Sequence, residues 1–193
     1  MDQNKTITNY LILEDAARNF YAGVVWSHKI QEKQADIYAS RFSCLKLLNI
    51  ITSSLATAGI ISTIFIDPFW VKLVSAIISF ISLCISAYLK FFDLQRLATS
   101  HKSTANKLIF IRDRFKFLIT EIKIQDESVQ NLKDKFEQLI KDTNNIYQDA
   151  PNTTDAAVKE AKKALQIKHD NSFTDDEIDS YLPALLRKTS HDK

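Results

Sequence analysis

The residue types that most often perform chemistry are present in this chain, but they do not form a recognisable constellation. The four histidines lie far apart in the sequence, at His28, His101, His169 and His191. Neither HExxH nor CxxC occurs, and the acidic residues flank apolar heptads, where solvated ion pairs are usual. The two glycines, Gly23 and Gly59, cannot supply a glycine-rich phosphate loop. We therefore predict no catalytic residue, no metal site and no cofactor, and expect that the protein is not an enzyme.

The composition narrows the classes of protein to which this chain can belong. The chain has 193 residues and a net charge of +2, and 46% of its residues are hydrophobic, which excludes a disordered polyion. Runs of Lys and Arg are too short for a nucleic-acid stripe, so no direct nucleic-acid binding is predicted. With only 2 Gly and 3 Pro, against roughly 13 and 10 for average usage, a turn-rich β fold is disfavoured. The composition predicts an all-α protein.

Two long apolar segments lie in the middle of the chain. Residues 47–66 contain no ionisable side chain and would form a helix about 30 Å long, which matches one hydrocarbon thickness. Residues 73–89 are also uncharged, and Phe69 and Trp70 before them suit a membrane interface. Asp67 and Pro68 form a minimal turn between them. We predict a transmembrane hairpin over 47–92; the alternative is a hairpin buried in a soluble helical protein, which would need a large soluble shell.

The charges that flank these segments predict an orientation. The flanking cations are Lys29, Lys33, Arg41 and Lys46 before the first segment and Lys90, Arg96, Lys102 and Lys107 after the second. The connection between the segments offers only Lys72. By the positive-inside rule both termini face the cytoplasm and the connection between the segments faces outward. The first twenty residues lack the charge pattern and cleavage site of a signal peptide.

Small and hydroxylated residues form one face on each apolar segment. On a helical wheel, four serines of the second segment lie within about 60° of one another: Ser75, Ser79, Ser82 and Ser86. The corresponding face of the first segment is formed by Asn49, Thr52, Ser53, Ala56, Gly59 and Thr63. One interpretation is helix packing, in which hydroxyls bond across the contact. The other is a water-filled path that the serines line when several copies assemble, and the two interpretations are compatible.

The two cysteines, Cys44 and Cys84, are not expected to form a disulfide, because the cytosol is reducing and their depths in the membrane differ. Cys44 lies beside the first segment, where it is either a palmitoylation site or a plain small apolar residue.

A heptad pattern follows the second segment. Its apolar and polar members are Leu94, Leu97, His101, Thr104, Leu108, Ile111, Phe115, Leu118 and Ile122. The spacing predicts that the membrane helix continues into the cytosol as a long coiled-coil-like helix, and we interpret these residues as an oligomerisation seam. His101 is either a titrating or ligating residue or, as we favour, a polar seam residue that sets the register.

The remaining patterns divide the chain into four regions. Residues 1–46 form a helical N-terminal arm, 47–92 the hairpin, 93–150 a long helix with a return helix, and 151–193 a helical tail. The return helix is predicted from a second apolar series: Val129, Leu132, Phe136, Leu139, Thr143 and Ile146. In the tail, Thr153 or Thr154 can cap one helix, and Thr174 with Glu177 makes a capping box. The tail could dock on the bundle, bind a partner or stay mobile.

Residues 8–150 resemble the SLATT domain, the SMODS- and SLOG-associating two-transmembrane effector. The resemblance rests on the helical arm from Trp26 to Phe42 with Lys29 and Arg41, on the two segments joined by a minimal turn, and on the pattern that follows. That pattern runs through Leu97, His101, Ala105, Leu108 and Arg112.

The resemblance implies an effector of a bacterial conflict system that assembles as a homo-oligomer in the inner membrane, forms a pore and causes dormancy or death of the infected cell. It also implies a separate sensor, such as a nucleotidyltransferase that makes a nucleotide messenger or a reverse transcriptase, because this chain contains no recognisable sensor of its own. It provides no catalytic residues. The alternative function is a membrane-anchored, non-conducting helical scaffold that docks a signalling partner on the lipid bilayer.

Overall fold

The computed structural model describes residues 2–65, 69–167, 170 and 174–183, and across these residues the chain forms six helices and no strand. They are α1 (Asp2–Phe65), α2 (Phe69–Phe91), α3 (Leu94–Ile124), α4 (Val129–Gln148), α5 (Asp155–Gln166) and α6 (Asp175–Tyr181). The prediction of an all-α fold is confirmed.

Helix α1 joins the N-terminal arm to the first apolar segment without a break. It contains 64 residues, and at 1.5 Å per residue it is about 96 Å long. No proline lies inside it, and its two glycines do not interrupt it. One rigid element therefore connects the extramembrane bundle to the hairpin.

The chain leaves the hairpin through α2, and its helix is interrupted where α2 meets α3. Helix α2 ends at Phe91, and the carboxylate of Asp93 accepts a hydrogen bond from the backbone N–H of Arg96 at 3.1 Å, which caps the first turn of α3. The prediction of one uninterrupted helix through this point is therefore wrong. An aspartate side chain that satisfies the free N–H groups of a new helix stabilises a start at this position more than a continuation.

The apolar side chains of the two long segments point outward. Leu55 is 54% exposed and Ile64 76% exposed on α1, and Phe80 and Leu83 are 66% and 65% exposed on α2. Both helices are long and apolar enough to cross a membrane. A soluble protein would bury such side chains, so the exposure is contrary to the buried-hairpin alternative and fits a surface that faces lipid.

The core of the extramembrane bundle lies between α1, α3 and α4. Its buried residues are Leu13, Ala17, Val24, Leu108, Ile111, Phe115, Leu118, Ile122, Leu132, Phe136 and Leu139. The ring of Phe115 lies 6.2 Å from that of Phe20 and 6.1 Å from that of Phe136. Helix α4 folds back as predicted, because Gln125 adopts a left-handed conformation after α3 and the Ser128 hydroxyl caps α4.

The first part of the C-terminal tail docks on α1. Ala157, Ala161 and Ala164 of α5 are buried, and this contact is with α1. Alanine at every third or fourth position lets the two helix backbones approach closely. For residues 155–166 the docking alternative is thus the one observed, while the predicted capping box of Thr174 and Glu177 opens α6.

Candidate functional site

The two hydroxylated faces meet each other inside one hairpin. Asn49 Oδ1 accepts hydrogen bonds from the hydroxyls of Ser82 at 3.0 Å and Ser86 at 3.1 Å, and the hydroxyls of Ser53 and Ser82 are 2.7 Å apart. We call these four residues the polar seam. Each hydroxyl of the seam finds a partner within the chain, which is the arrangement that helix packing in an apolar solvent requires.

Gly59 extends the same contact toward the far end of the hairpin. A Cβ atom added to Gly59 would overlap the hydroxyl oxygen of Ser75 and lie 3.0 Å from its Cβ. Ser75 and Ser82 are both buried although neighbouring side chains face outward. The absence of a side chain at position 59 is therefore what allows α1 and α2 to touch here.

The other predicted residues of this region take less part in the contact. Thr52 and Thr63 donate their hydroxyls to backbone carbonyls of α1, at Leu48 and Ile60. Ser79 is half-buried. The predicted turn residues Asp67 and Pro68 lie outside the described residues.

The residues that we predicted to form an oligomerisation seam are packed within one chain. Leu94, His101, Leu108, Ile111, Phe115, Leu118 and Ile122 are buried, with the last five in the common core with α1 and α4. Leu97 is instead 37% exposed. In this turn of α3 the half-buried residue is its neighbour Ala98. In this conformation the buried members offer no free surface to a second copy.

A layer of buried polar side chains lies in the bundle on the membrane side of this core. We call it the polar layer and define it by His28, Gln31, Gln34 and His101, which are all buried. His101 Nδ1 donates to Gln31 Oε1 at 2.6 Å, and Gln31 Nε2 donates to the backbone carbonyl of Pro151 at 3.1 Å.

Gln34 fastens the start of the tail to α1. Its Oε1 accepts hydrogen bonds from both the backbone N–H and the hydroxyl of Thr154, each at 2.8 Å. Thr154 precedes α5 as predicted, but its hydroxyl makes no capping bond because it bonds to Gln34. The polar layer thus connects α1 to α3 and to the tail.

The two histidines of the polar layer are held in the neutral form. His28 is only 2% exposed, and neither ring nitrogen has a hydrogen-bond partner among the described residues. Burial lowers the pKa of His28 to about 4, and the nearby cations add to this effect while Glu32 opposes it. Burial also lowers the pKa of His101. An imidazolium in this layer would lack the solvation that water supplies.

An ion-pair group adjoins the polar layer. Lys29 Nζ lies 2.7 Å from Glu32 Oε2 and 3.6 Å from Asp170 Oδ2, so it links α1 to Asp170, four residues beyond the end of α5. Lys102 of α3 lies 3.6 Å from the other oxygen of Glu32. Burial raises the pKa of Glu32, but the hydrogen bond and charge of Lys29 outweigh this and leave the pKa below its ordinary value.

The heptad analysis of the sequence missed the polar layer, although a signal for it exists. Ala17, Val24, Gln31 and Tyr38 recur at intervals of seven along α1. The buried face therefore continues through a polar residue, and Tyr38 lies with its ring 5.5 Å from that of His101. A glutamine in register with two apolar core residues indicates a buried amide that needs partners.

The arrangement of the described residues is one of helix packing within the chain. Among the described residues, no group of three or more His, Cys, Asp or Glu side chains could hold a metal ion. Cys44 and Cys84 are both free and exposed. Most polar groups of the polar seam and the polar layer bond to one another or to backbone, whereas the ring nitrogens of His28 find no partner among the described residues. No described side chain of either group is arranged as a nucleophile with its base.

Residues 13–177 match the family model described as SMODS and SLOG-associating 2TM effector domain family 4. No curated protein and no solved structure matches the chain.

Proposed function

Because the chain belongs to family 4 of the SMODS and SLOG-associating two-transmembrane effector domains, we propose that it permeabilises the membrane. The chain is a membrane effector of defence systems, as its family is. In our proposal it acts in the bacterial inner membrane with both termini in the cytoplasm, assembles from several copies and causes abortive infection.

The polar seam is the observation on which this proposal depends. Two helices that only anchor a protein need no polar contact in the membrane, since close packing of small residues suffices. Asn49, Ser53, Ser82 and Ser86 instead bring hydroxyl and amide groups to one level of the hairpin. When several hairpins assemble, the contact between α1 and α2 of each hairpin can open and be replaced by contacts with neighbouring hairpins. The hydroxyl and amide groups of the polar seam can then face water in a shared lumen.

A lone hairpin has too few helices to enclose water, so the seam is closed in the structure described above and opens on assembly. The trigger comes from a separate sensor, in keeping with the association with SMODS and SLOG in the family description. A nucleotidyltransferase or a reverse transcriptase would fit this role. We place the response to that trigger at the polar layer, because it joins α1 to the tail through hydrogen bonds that a ligand or protein can replace.

A reversible disulfide across the polar seam tests the proposal. The change is Ser53→Cys with Ser82→Cys in a chain whose native cysteines are replaced by alanine, since the two hydroxyls are 2.7 Å apart. Inverted membrane vesicles from cells that express the chain together with its sensor are oxidised, and the decay of an imposed pH gradient is followed. We expect decay as slow as in vesicles without the protein, and recovery of the leak after dithiothreitol.

The matched control carries Ser53→Cys alone and receives the same oxidant, which should leave its leak unchanged. If the cross-linked hairpin leaks as fast as the reduced one, opening of the seam is not required and this mechanism is contradicted.

The alternative function is the non-conducting scaffold, which is favoured by the complete pairing of seam hydroxyls within one hairpin. Induced expression with a membrane-potential dye separates the two functions, because a pore depolarises cells and an anchor does not. Ser79→Leu with Ser82→Leu should abolish depolarisation, whereas Ala76→Leu with Ala87→Leu, on exposed positions of the same helix, should not. Cells that keep their potential on expression of the unaltered chain together with its sensor would favour the scaffold.

A further inference from the structure

Four cations lie where the two long apolar segments meet the extramembrane bundle. Arg41 and Lys46 precede the apolar part of α1, and Lys90 and Arg96 flank the end of α2. All four are exposed, and none forms an ion pair with a described residue. We call them the cationic collar.

The hairpin contact places Lys46 and Lys90 at a common level, with Arg41 farther from the membrane. Asn49 bonds to Ser86, so α1 and α2 are in register at that point. Lys46 lies three residues before Asn49 and Lys90 four residues after Ser86, which is about 5–6 Å of helix in the same direction. Arg41 lies about 12 Å from Asn49 along α1. The headgroup layer of a bilayer is about 5–8 Å thick on each side, so the collar spans it.

Three aromatic side chains lie at the same level on the end of α2. The rings of Tyr88 and Phe92 are 4.7 Å apart, and those of Phe91 and Phe92 are 5.5 Å apart. Phe91 is 85% exposed. Exposed rings beside cations at the end of an apolar helix match the interfacial zone of a membrane, where rings reach the acyl chains and cations reach the phosphates.

The collar differs from the other cations of the bundle by its place beside the two apolar segments, since some distal cations, such as Lys116 and Lys141, also form no ion pair with a described residue. Nine cations of the bundle are paired with acidic side chains: Arg18, Lys29, Lys33, Lys102, Arg112, Arg114, Lys123, Lys133 and Lys135. Around the collar the only acidic residue between positions 73 and 101 is Asp93, whose carboxylate caps α3. None of the four positive charges of the collar is neutralised by an ion pair with a described residue, and Lys46 lies over the ring of Phe42 at 5.8 Å. A partner outside the chain can therefore supply the counter-charge.

We propose that the cationic collar binds the headgroups of anionic phospholipids and enriches them around the hairpin. Each Lys or Arg near an anionic surface contributes about 1 kcal/mol of attraction, and the aromatic side chains hold the collar at the depth where phosphates lie. This inference concerns the lipid partner and is independent of whether the hairpin conducts ions.

Cys44 provides a probe inside the collar, because it is exposed and lies between Arg41 and Lys46. The full chain with Cys84→Ala is labelled at Cys44 with a bimane fluorophore and placed in nanodiscs of phosphatidylcholine with a minor share of phosphatidylglycerol. In one sample the phosphatidylglycerol carries bromine near the headgroup end of its acyl chains, and in a second sample an equal share of the phosphatidylcholine does. We expect at least twofold stronger quenching by the brominated anionic lipid.

Two sets of variants test whether the collar causes the preference for anionic lipid. Replacing Arg41, Lys46, Lys90 and Arg96 by glutamine should bring the quenching ratio to one. The matched control replaces Lys116, Lys141, Lys159 and Lys162 by glutamine and should keep the ratio of the parent. These four are exposed cations of the bundle, and none forms an ion pair with a residue that the structure describes.

A further variant guards against a folding defect. Lys46→Arg with Lys90→Arg conserves the charge and should retain the enrichment, and higher salt should weaken it in the parent. A ratio of one in the parent overturns the proposal. So does an enrichment that survives in the glutamine variant of the collar, since another feature would then recruit the lipid.

Discussion

Two stretches of α1 lie against the same helix α3 and bury different side chains. The stretch from Leu13 to Val24 contributes apolar groups to the core with Phe115 and Leu132. The stretch from His28 to Tyr38, closer to the membrane, buries the polar layer. Apolar burial stabilises a contact without demanding partners, whereas each buried polar atom without a partner costs free energy. The comparison indicates that apolar burial holds the distal half of the bundle together, whereas hydrogen bonds of buried side chains hold much of the polar layer.

The largest expected effect is in the distal half. Phe115→Ala removes a fully buried ring that contacts Phe20 and Phe136, and such truncations cost about 3–5 kcal/mol. Thermal unfolding of the protein in detergent, followed by circular dichroism, should show this loss. The exposed Phe117 is the control, and Phe117→Ala should change the unfolding free energy far less. Equal losses would mean that the core is not where we place it.

The second largest effect is expected from a fall in pH, which should lower the free energy of unfolding through His28 in the polar layer. The pKa of His28 is about 4 in the folded chain against 6.5 when unfolded, so the unfolded chain binds more protons between these values. Stability is complete above pH 6.5 and falls as the pH drops toward 4, by on the order of 2–3 kcal/mol. His28→Leu should remove this part of the pH dependence and raise stability at neutral pH. Parallel pH profiles for both proteins would contradict the assignment.

A smaller and local effect is expected at the attachment of the tail. Gln34→Ala removes the acceptor of two hydrogen bonds from Thr154, at a cost of about 1 kcal/mol. Hydrogen exchange of residues 150–166 should then be about fivefold faster, with no change in the distal core. Gln138→Ala is the control, because among the described residues that amide bonds to the half-buried Asp142 of its own helix and to no residue of the tail. Faster exchange throughout the bundle would show that the polar layer holds more than the tail.

The smallest effect is expected for an exposed ion pair of the distal half. Lys135 bonds to Glu127 at 2.7 Å and to Glu121 at 2.9 Å, and these bonds raise its pKa. Solvent screens such a pair and the side chain pays entropy to form it. Lys135→Gln should leave the thermal midpoint within measurement error. A clear loss would mean that charges at the turn before α4 contribute to the bundle beyond their screened attraction.

Much of the fold follows from periodicity in the sequence. The apolar segments predict the two long outward-facing helices, the series through Leu132 and Phe136 predicts α4, and Thr174 with Glu177 predicts the start of α6. These features depend on neighbours within a few turns, which is why local patterns reveal them. The break at Phe92 and Asp93 was not predicted, because the same aspartate could have lain on a continuous helix.

The partner of each buried face could not be predicted in the same way. A heptad series indicates that one face of a helix is buried, but it does not indicate whether the helix that covers this face belongs to the same chain. The series from Leu94 to Ile122 was interpreted as a contact between copies, and it is covered by α1 and α4. The serines of α2 likewise meet Asn49 and Ser53 of their own hairpin.

The sequence by itself determined which segments are helical, which of them can cross a membrane, and where the apolar face of each helix lies, because these properties depend on side-chain type and spacing. The tertiary structure decided which residues are in contact: that the polar seam closes within one hairpin, that Gln34 reaches the tail, and that His28 has no hydrogen-bond partner among the described residues. Those outcomes depend on distances between residues far apart in the chain, and spacing along one helix does not contain them.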